Sequence, residues 1–512
     1  MKSTASFRTL LFVAGFVTIT ACAPQPVQRA PQPSQTRPTA ALPETSARRS
    51  PQQQRVGDEN HPKLLQRYGG VYDDPELTAY VNGLGRDLAA VSEQPNEKWT
   101  FTVLDNPTVN AFAIPGGYVY VTRGLVSLAN SEAELAGVIG HEIGHVTAGH
   151  SSLRQERSTI AQGALLGALI LGKVLGAGDD ALRSGAQIGQ AVAGGYLANY
   201  SRADELAADN LGIRYLARAG YDPYAQADFL ESMGASQALD AKMTGRSYNP
   251  NATNFLASHP ANGPRTRQAI AVAQNSGETI PAGAPRNRSS FLRVIDGITY
   301  GDSPEQGFVR GSNFSHPVLR FSYDSPRGFR ILNSSAAVVA QGPNNARFVL
   351  DGGKNPQGDL TTYIRREWVP TIGQKYRVGR VRNVVSRPIN GLEAASAEVP
   401  VQIGNQAFNA LLVAIRLDGK LYRLTGLSPQ GQNLIPAMRQ AANTFRRLSV
   451  GEAARLKPQL LEVVTVRAGD TVESLARRMK VPGEFAIDRF RVLNALERGD
   501  RLTPGERVKV IR

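Results

Sequence analysis

His141-Glu142-Ile143-Gly144-His145 sets two imidazoles four residues apart, with a carboxylate directly after the first. On a helix, residues four apart share a face, so both rings can grip one ion while Glu142 addresses a water beside it. A catalytic zinc takes three protein ligands and leaves one position for water, whose pKa falls toward ~7. The sequence around the motif supports a helix. Ser131-x-x-Glu134 reads as a capping box, and Leu135, Val138 and Ile139 give the helix a core face. A helix that merely carries two surface histidines is the plain alternative.

The third ligand decides the class. A metzincin pattern needs a third His ten residues after the first and a Gly seven after it, whereas His150 follows His141 by nine and Gly149 by eight. On an ideal helix His150 also falls roughly opposite His141, so it is set aside as a ligand. Glu205, in the helical-looking stretch Glu205-Leu206-Ala207-Ala208-Asp209, is the better candidate. Glu205 and Asp209 would share a face, the first ligating and the second accepting the outer N–H of a ligand His. A solvated acidic face competes with this reading for any single glutamate.

The elements that must hold these groups can be read outward from the motif. Asp74-Pro75 starts a helix that continues through Tyr80, Leu84, Leu88 and Val91. Thr100 to Val103 and Tyr118 to Thr122 read as strands, with Pro115-Gly116-Gly117 as the turn before the second, and residues 131–275 are mostly helical. The expectation is an α-rich catalytic domain with a small β-sheet over residues 61–280. Within it, Ile160 to Leu175 is apolar but short and rich in Gly, and reads as a buried or lid-forming helix rather than a membrane span. After a Pro/Gly/Arg/Asn-rich linker comes an α+β module, residues 290–450. It has a helical piece from Asp359 to Trp368, hairpin turns at Asn390-Gly391 and Asp418-Gly419, and a last helix from Leu434 to Leu448. Residues 462–512 read as a small βααβ module.

The amino terminus reads as a targeting segment. Lys2 and Arg8 precede an apolar run from Thr9 to Thr20, and Ile19-Thr20-Ala21-Cys22 resembles a lipobox built on the only cysteine of the chain. Residues 1–21 are then a lipoprotein signal peptide, Cys22 is the lipidation site, and Ala23 after it points to the outer membrane. Residues 22–60, rich in Pro, Gln, Arg, Ser and Thr, read as a disordered tether. One cysteine excludes disulfides within the chain and any thiolate metal cluster. The 58 Lys+Arg against 43 Asp+Glu leave a net charge of +15, which favours anionic surfaces. The basic residues are scattered and not interleaved with aromatics, so a nucleic-acid partner is not expected.

Together, Asn110 to Gly117, Thr122-Arg123-Gly124-Leu125, the His141–His145 motif, Glu205-x-x-Ala208-Asp209 and Ser258-His259-Pro260 with Arg265 resemble one family. It is the gluzincin metalloprotease family that includes HtpX, the CAAX-prenyl proteases and the periplasmic BepA-like proteases. The resemblance covers roughly residues 65–275 and lies closest to the soluble periplasmic branch, although no C-terminal helical repeat is found. It implies an endopeptidase holding one Zn2+ per chain on His141, His145 and Glu205, with Glu142 as base. Asn110, Ala111, Phe112 and Ala113 would be the strand that pairs with substrate, and His259 and Arg265 would sit over the active site. Gly469-Asp470-Thr471, Leu475-Ala476, Leu493-Asn494 and Pro504-Gly505 make the last module similar to LysM domains, implying glycan contacts at Gly469, Asp470, Thr471 and Asn494. The expected function is quality control of misfolded or misassembled outer-membrane and periplasmic proteins, with peptidoglycan and the membrane anchor as further partners. A peptidoglycan-acting metallohydrolase and a wall-bound, chaperone-like scaffold are the alternatives.

Overall fold

The computed structural model describes residues 49–150, 200–243, 263–275, 283–334, 337–481 and 483–512. The lipobox with Cys22, the 160–175 run and His259 lie outside the described residues.

Order begins earlier than composition suggests. α1 (Pro51–Arg67) opens on a capping box, Gln53 N donating to Ser50 Oγ and Ser50 N to Gln53 Oε1. Its polar residues have tertiary partners that composition cannot reveal: Asp58 accepts from the Tyr118 hydroxyl at 2.5 Å, and His61 Nδ1 lies 2.8 Å from the Tyr120 hydroxyl. Leu64 and Tyr68 bury against Phe112, Ile114 and Tyr120. The unstructured tether expected to reach residue 60 therefore gives way to helix at Pro51.

Asp74 caps α2 (Pro75–Ala90), accepting from Leu77 N at 2.9 Å. Leu77, Val81, Leu84 and Leu88 form the buried stripe of α2. The sheet beside it has the order β1-β3-β2, with β1 (Thr100–Leu104) parallel to β3 (Tyr118–Thr122) and β2 (Ala111–Ile114) antiparallel to β3 on the outside. Thr122 then caps α3 (Arg123–Leu128), and Ser131 caps α4 (Glu132–Thr147). Glu134 closes that second cap by accepting from Asn130 N at 2.9 Å, one residue outside the usual box. α5 (Arg202–Arg218), α6 (Ala225–Met243) and α7 (Gly263–Gln274) complete the helical part, and α8 (Arg288–Val294) leads onward.

The middle region is a mostly β layer. Its eight-stranded sheet is built on the long antiparallel strands β13 (Ala394–Ile403), β14 (Gln406–Leu417) and β15 (Lys420–Pro429). The turn joining β14 to β15 needs two left-handed residues, and Asp418 and Gly419 supply them at φ 50° and 72°. Helical turns over residues 360–373 cover one face, burying Ile364 and Trp368 against Ala397, Val399 and Leu412. α9 (Ile435–Ala442), Phe314 and Phe321 cover the other, with Leu411 and Val413.

α9 stops six residues before the helix end expected at Leu448, and Arg446–Arg447 pairs as a strand with Phe321 and Ser322. Tertiary partners take the backbone there. Asn390 Nδ2 donates to Asn443 O and Phe445 O, while Phe445 stacks on Phe321.

His316 sits in this core, its Nδ1 accepting the Leu319 N–H at 3.2 Å. Burial, helped by Lys420, pushes its pKa down to about 4. The folded chain thus resists a proton that the unfolded chain takes up near 6.5, and stability should fall as pH drops from about 6.5 to 4, by up to about 3 kcal/mol. His316→Asn keeps an acceptor near the same place and removes the titration. Relative to wild type, its urea unfolding midpoint should rise as pH is lowered from 7 to 4.5. A wild-type-to-variant difference that is constant with pH would contradict this.

The C-terminal module has strand β17 (Gln459–Thr465), helices α10 (Val472–Ala476) and α11 (Ala486–Leu493), and strand β18 (Arg507–Ile511) antiparallel to β17. It is tied to the preceding regions. The other edge of β17 pairs with Thr299–Tyr300, and Lys242 pairs with Asp488. Lys509 of β18 is fully buried and donates to Ser127 O, Leu128 O and Ala129 O at 2.9, 3.0 and 2.7 Å, the carbonyl end of α3. The chain's last strand therefore holds the loop from which α4 starts. Among the described residues, no helix is long and apolar enough to cross a membrane.

Candidate metal centre

α4 and α5 approach closely because glycine faces glycine. A Cβ on Gly212 would lie 2.9 Å from His141 N, and one on Gly140 3.3 Å from Gly212 Cα. This contact brings the first turns of α5 onto the motif face of α4. His141, His145 and Glu205 are 3%, 0% and 2% exposed, and their ligand atoms all lie within 4.8 Å of one another. His141 Nε2 lies 3.0 Å from His145 Nε2, and the Glu205 oxygens lie 3.7 and 3.6 Å from those two nitrogens.

The donor set suits zinc. Bonds of about 2.0–2.1 Å to a tetrahedral ion put ligand atoms about 3.3 Å apart, and the three separations of 3.0, 3.6 and 3.7 Å bracket that value. Two neutral nitrogens and one carboxylate, withdrawn from water, match the ligand types of a catalytic zinc. Glu142, 1% exposed, shares this surface.

Charges behind the set are compensated. Asp209 Oδ1 lies 2.9 Å from His141 Nδ1 and accepts from Gln226 Nε2 at 3.2 Å. Arg265 forks onto Asp209, Nε to Oδ2 at 2.8 Å and Nη2 to Oδ1 at 2.7 Å, and its Nη1 meets Glu205 Oε2 at 2.9 Å. Burial alone would raise the Asp209 pKa. Arg265 and then His141 outweigh it and hold that carboxyl well below the usual range. Burial would lower the pKa of Arg265, but Asp209, Glu205 and Glu142 keep it firmly charged. Arg265 contacts the carboxylates of the site and also lines the cavity against His141 and Glu142.

A cavity of about 40 Å³ opens against His141 and Glu142, lined also by Asn110, Ala111, Leu125, Phe229 and Met233. Ala111, Phe112 and Ala113 lie in β2, the outer strand of its sheet, and Asn110 directly precedes it. In the C-terminal module, Gly469 at φ 87° and Thr471 form an exposed turn that caps α10, with Asp470 accepting from Arg467 N. Asn494 is different. It is 5% exposed, and its amide bonds Phe490 O, Lys509 O and Lys509 N. These contacts brace α11 against β18, which removes Asn494 from a solvent-facing glycan groove.

Spacing arguments missed two residues. Tyr200 stacks on His145 with ring centroids 3.7 Å apart and planes 18° apart, and His150 Nδ1 lies 2.9 Å from His145 Nδ1. Nothing local in the sequence announces Tyr200. His150 was legible only as a non-ligand.

A buried His-His-Glu set on two packed helices, with a glutamate inside the motif, has the residue types and arrangement of a gluzincin metallopeptidase site. Residues 75–272 match the model of peptidase family M48. The chain is 37% identical over 173 residues to a putative beta-barrel assembly-enhancing protease of Vibrio cholerae, covering 33% of this chain and 35% of that one. It is 32% identical over 190 residues to the beta-barrel assembly-enhancing protease of Escherichia coli K12, covering 36% and 37%. Against mitochondrial metalloendopeptidase OMA1 of Schizosaccharomyces pombe it is 28% identical over 218 residues, covering 42% and 59%. The chain thus spans little more than a third of the length of these bacterial relatives.

Proposed function

We propose that this protein is a zinc-dependent endopeptidase of the bacterial envelope that cleaves misfolded or misassembled outer-membrane and periplasmic proteins. The observation that carries the reading is the convergence of His141, His145 and Glu205 beside buried Glu142. Zinc held there would supply a water of lowered pKa and a Lewis acid for the scissile carbonyl. Glu142 takes the proton of the attacking water and delivers it to the leaving amine. Asn110 to Ala113, at the end of their sheet but buried, would be the strand to which an extended substrate backbone adds. Arg265 and Asp209 hold Glu205 and His141 in place. His259 lies outside the described residues, and a role for it at the active site rests on the resemblance alone. The names of the relatives support the envelope setting, and the βααβ order of the last module supports a LysM-like contact with peptidoglycan at Gly469 to Thr471. Acylated Cys22 would anchor the chain to the outer membrane.

Incubation of the purified full-length protein with denatured casein and with purified peptidoglycan tests this. Casein should be cut internally, a zinc chelator should abolish cutting, and added Zn2+ should restore it, while the wall stays intact. Release of soluble wall fragments with casein uncut would replace the reading with a peptidoglycan hydrolase.

A further inference from the structure

His150 follows α4 and lies outside the donor set, yet it touches one member of it. Its Nδ1 is 2.9 Å from His145 Nδ1, and its Nε2 faces Asp204 Oδ1 at 3.7 Å. Both imidazoles are buried, His145 at 0% and His150 at 8% exposure. Asp204 is itself held at the head of α5, where its other oxygen accepts from Ser201 N at 3.0 Å. The residue after Asp204 is Glu205, so one turn of helix supplies groups on both sides of His145.

The proton positions follow from the geometry. His145 directs Nε2 at His141 and Glu205, so a neutral ring that offers its lone pair there must carry its proton on Nδ1. That N–H points to His150 Nδ1, which can receive it only as the unprotonated nitrogen. The remaining proton of His150 then sits on Nε2, facing Asp204.

We propose that His150 is a positioning residue for the metal centre: it accepts the Nδ1–H of His145, fixing that ligand's tautomer and ring rotation, with Asp204 orienting His150 in turn. Tyr200, stacked on the ring, fixes its plane. The inference rests on His141, His145 and Glu205 being the metal ligands.

The two imidazoles are thus backed differently, His141 by a carboxylate and His145 by a neutral ring. Charge gives a reason. Among the described residues, Glu142, Glu205 and Asp209 place three buried carboxylates around one guanidinium, Arg265. A further carboxylate directly on His145 would add a fourth buried negative charge to the metal-free site. A neutral acceptor orients the ring without that cost, and Asp204 stays one residue back, where it is partly exposed.

The test measures Zn2+ affinity by chelator competition in the full-length Glu142→Gln protein, so that self-cleavage does not intervene. His150→Phe keeps a ring without an acceptor and should bind Zn2+ about 10–100-fold more weakly, the scale for losing a ligand's outer partner. His150→Asn puts an amide oxygen where Nδ1 was and should stay within about threefold of the parent. Should the Phe variant fail to fold by circular dichroism, His150→Ala takes its place with the same expectation. Affinity within twofold of the parent in the Phe or Ala variant, or equal losses in the Asn and acceptor-free variants, would overturn the proposal. A parent that binds no zinc, or a His141→Ala control that binds as well as the parent, would instead remove the metal reading itself.

Discussion

Glu142→Gln is expected to lower casein cleavage by about 10²–10⁴-fold, the range for losing a general base. The side chain is 1% exposed and packs between the ligand helix and the cavity beside β2. Glutamine has nearly the same shape, so packing survives. An amide cannot take the proton of an attacking water, so the chemical step fails while substrate still pairs with the edge strand. The loss should fall on kcat with little change in KM. Glu142→Asp keeps the acid but retracts it by one methylene, and should recover only part of the rate. Steady-state kinetics on casein would measure both. More than a tenth of wild-type kcat in Glu142→Gln would mean that another group is the base.

Arg265→Leu should destabilise the metal-free protein by about 3–5 kcal/mol, the cost of stripping the partner from buried charges. Its guanidinium is 4% exposed and satisfies Asp209 through two bonds and Glu205 through a third. Leucine fills much of the space but leaves Asp209 and Glu205 buried without that guanidinium. Arg265→Lys should lose less, since one ammonium keeps a charge but cannot fork onto Asp209 while reaching Glu205. Zn2+ should recover part of the loss, because it meets the charge on Glu205. Urea unfolding with chelator and with saturating Zn2+ would show this as a larger wild-type-to-variant gap without metal. A gap below about 1 kcal/mol without metal would contradict the bridging role.

The parts of the site legible in the sequence are those set by local period. The His141–His145 spacing, the Ser131 cap and the Glu205–Asp209 pair each need only one helix, and the structure places each on a helix. The hairpin at Asp418-Gly419 was legible for the same reason, since two adjacent residues carry the required positive φ. What brings α5 to α4 was written more faintly. Gly140 and Gly212 are ordinary helix residues until their backbones are seen to meet. Tyr200, His150 and Lys509 draw their meaning from partners in other elements, which no local pattern reveals. The end of α9 was misread because its apolar period continues past Ala442, while side-chain and strand partners claim the backbone. Asn494 entered the glycan set only through the LysM resemblance, and in the structure it is an internal brace.

The most direct measurement is zinc content per chain in purified Glu142→Gln beside Glu205→Ala. Glu205 is the ligand that comes from a second helix, so its role depends on α5 being packed against the motif. Glu142→Gln should retain one zinc per chain, because removing the base leaves the donor set whole. Glu205→Ala should lose it after dialysis against a mild chelator, with helix content unchanged by circular dichroism. Full zinc in Glu205→Ala, or none in Glu142→Gln, would contradict a His141–His145–Glu205 metal centre.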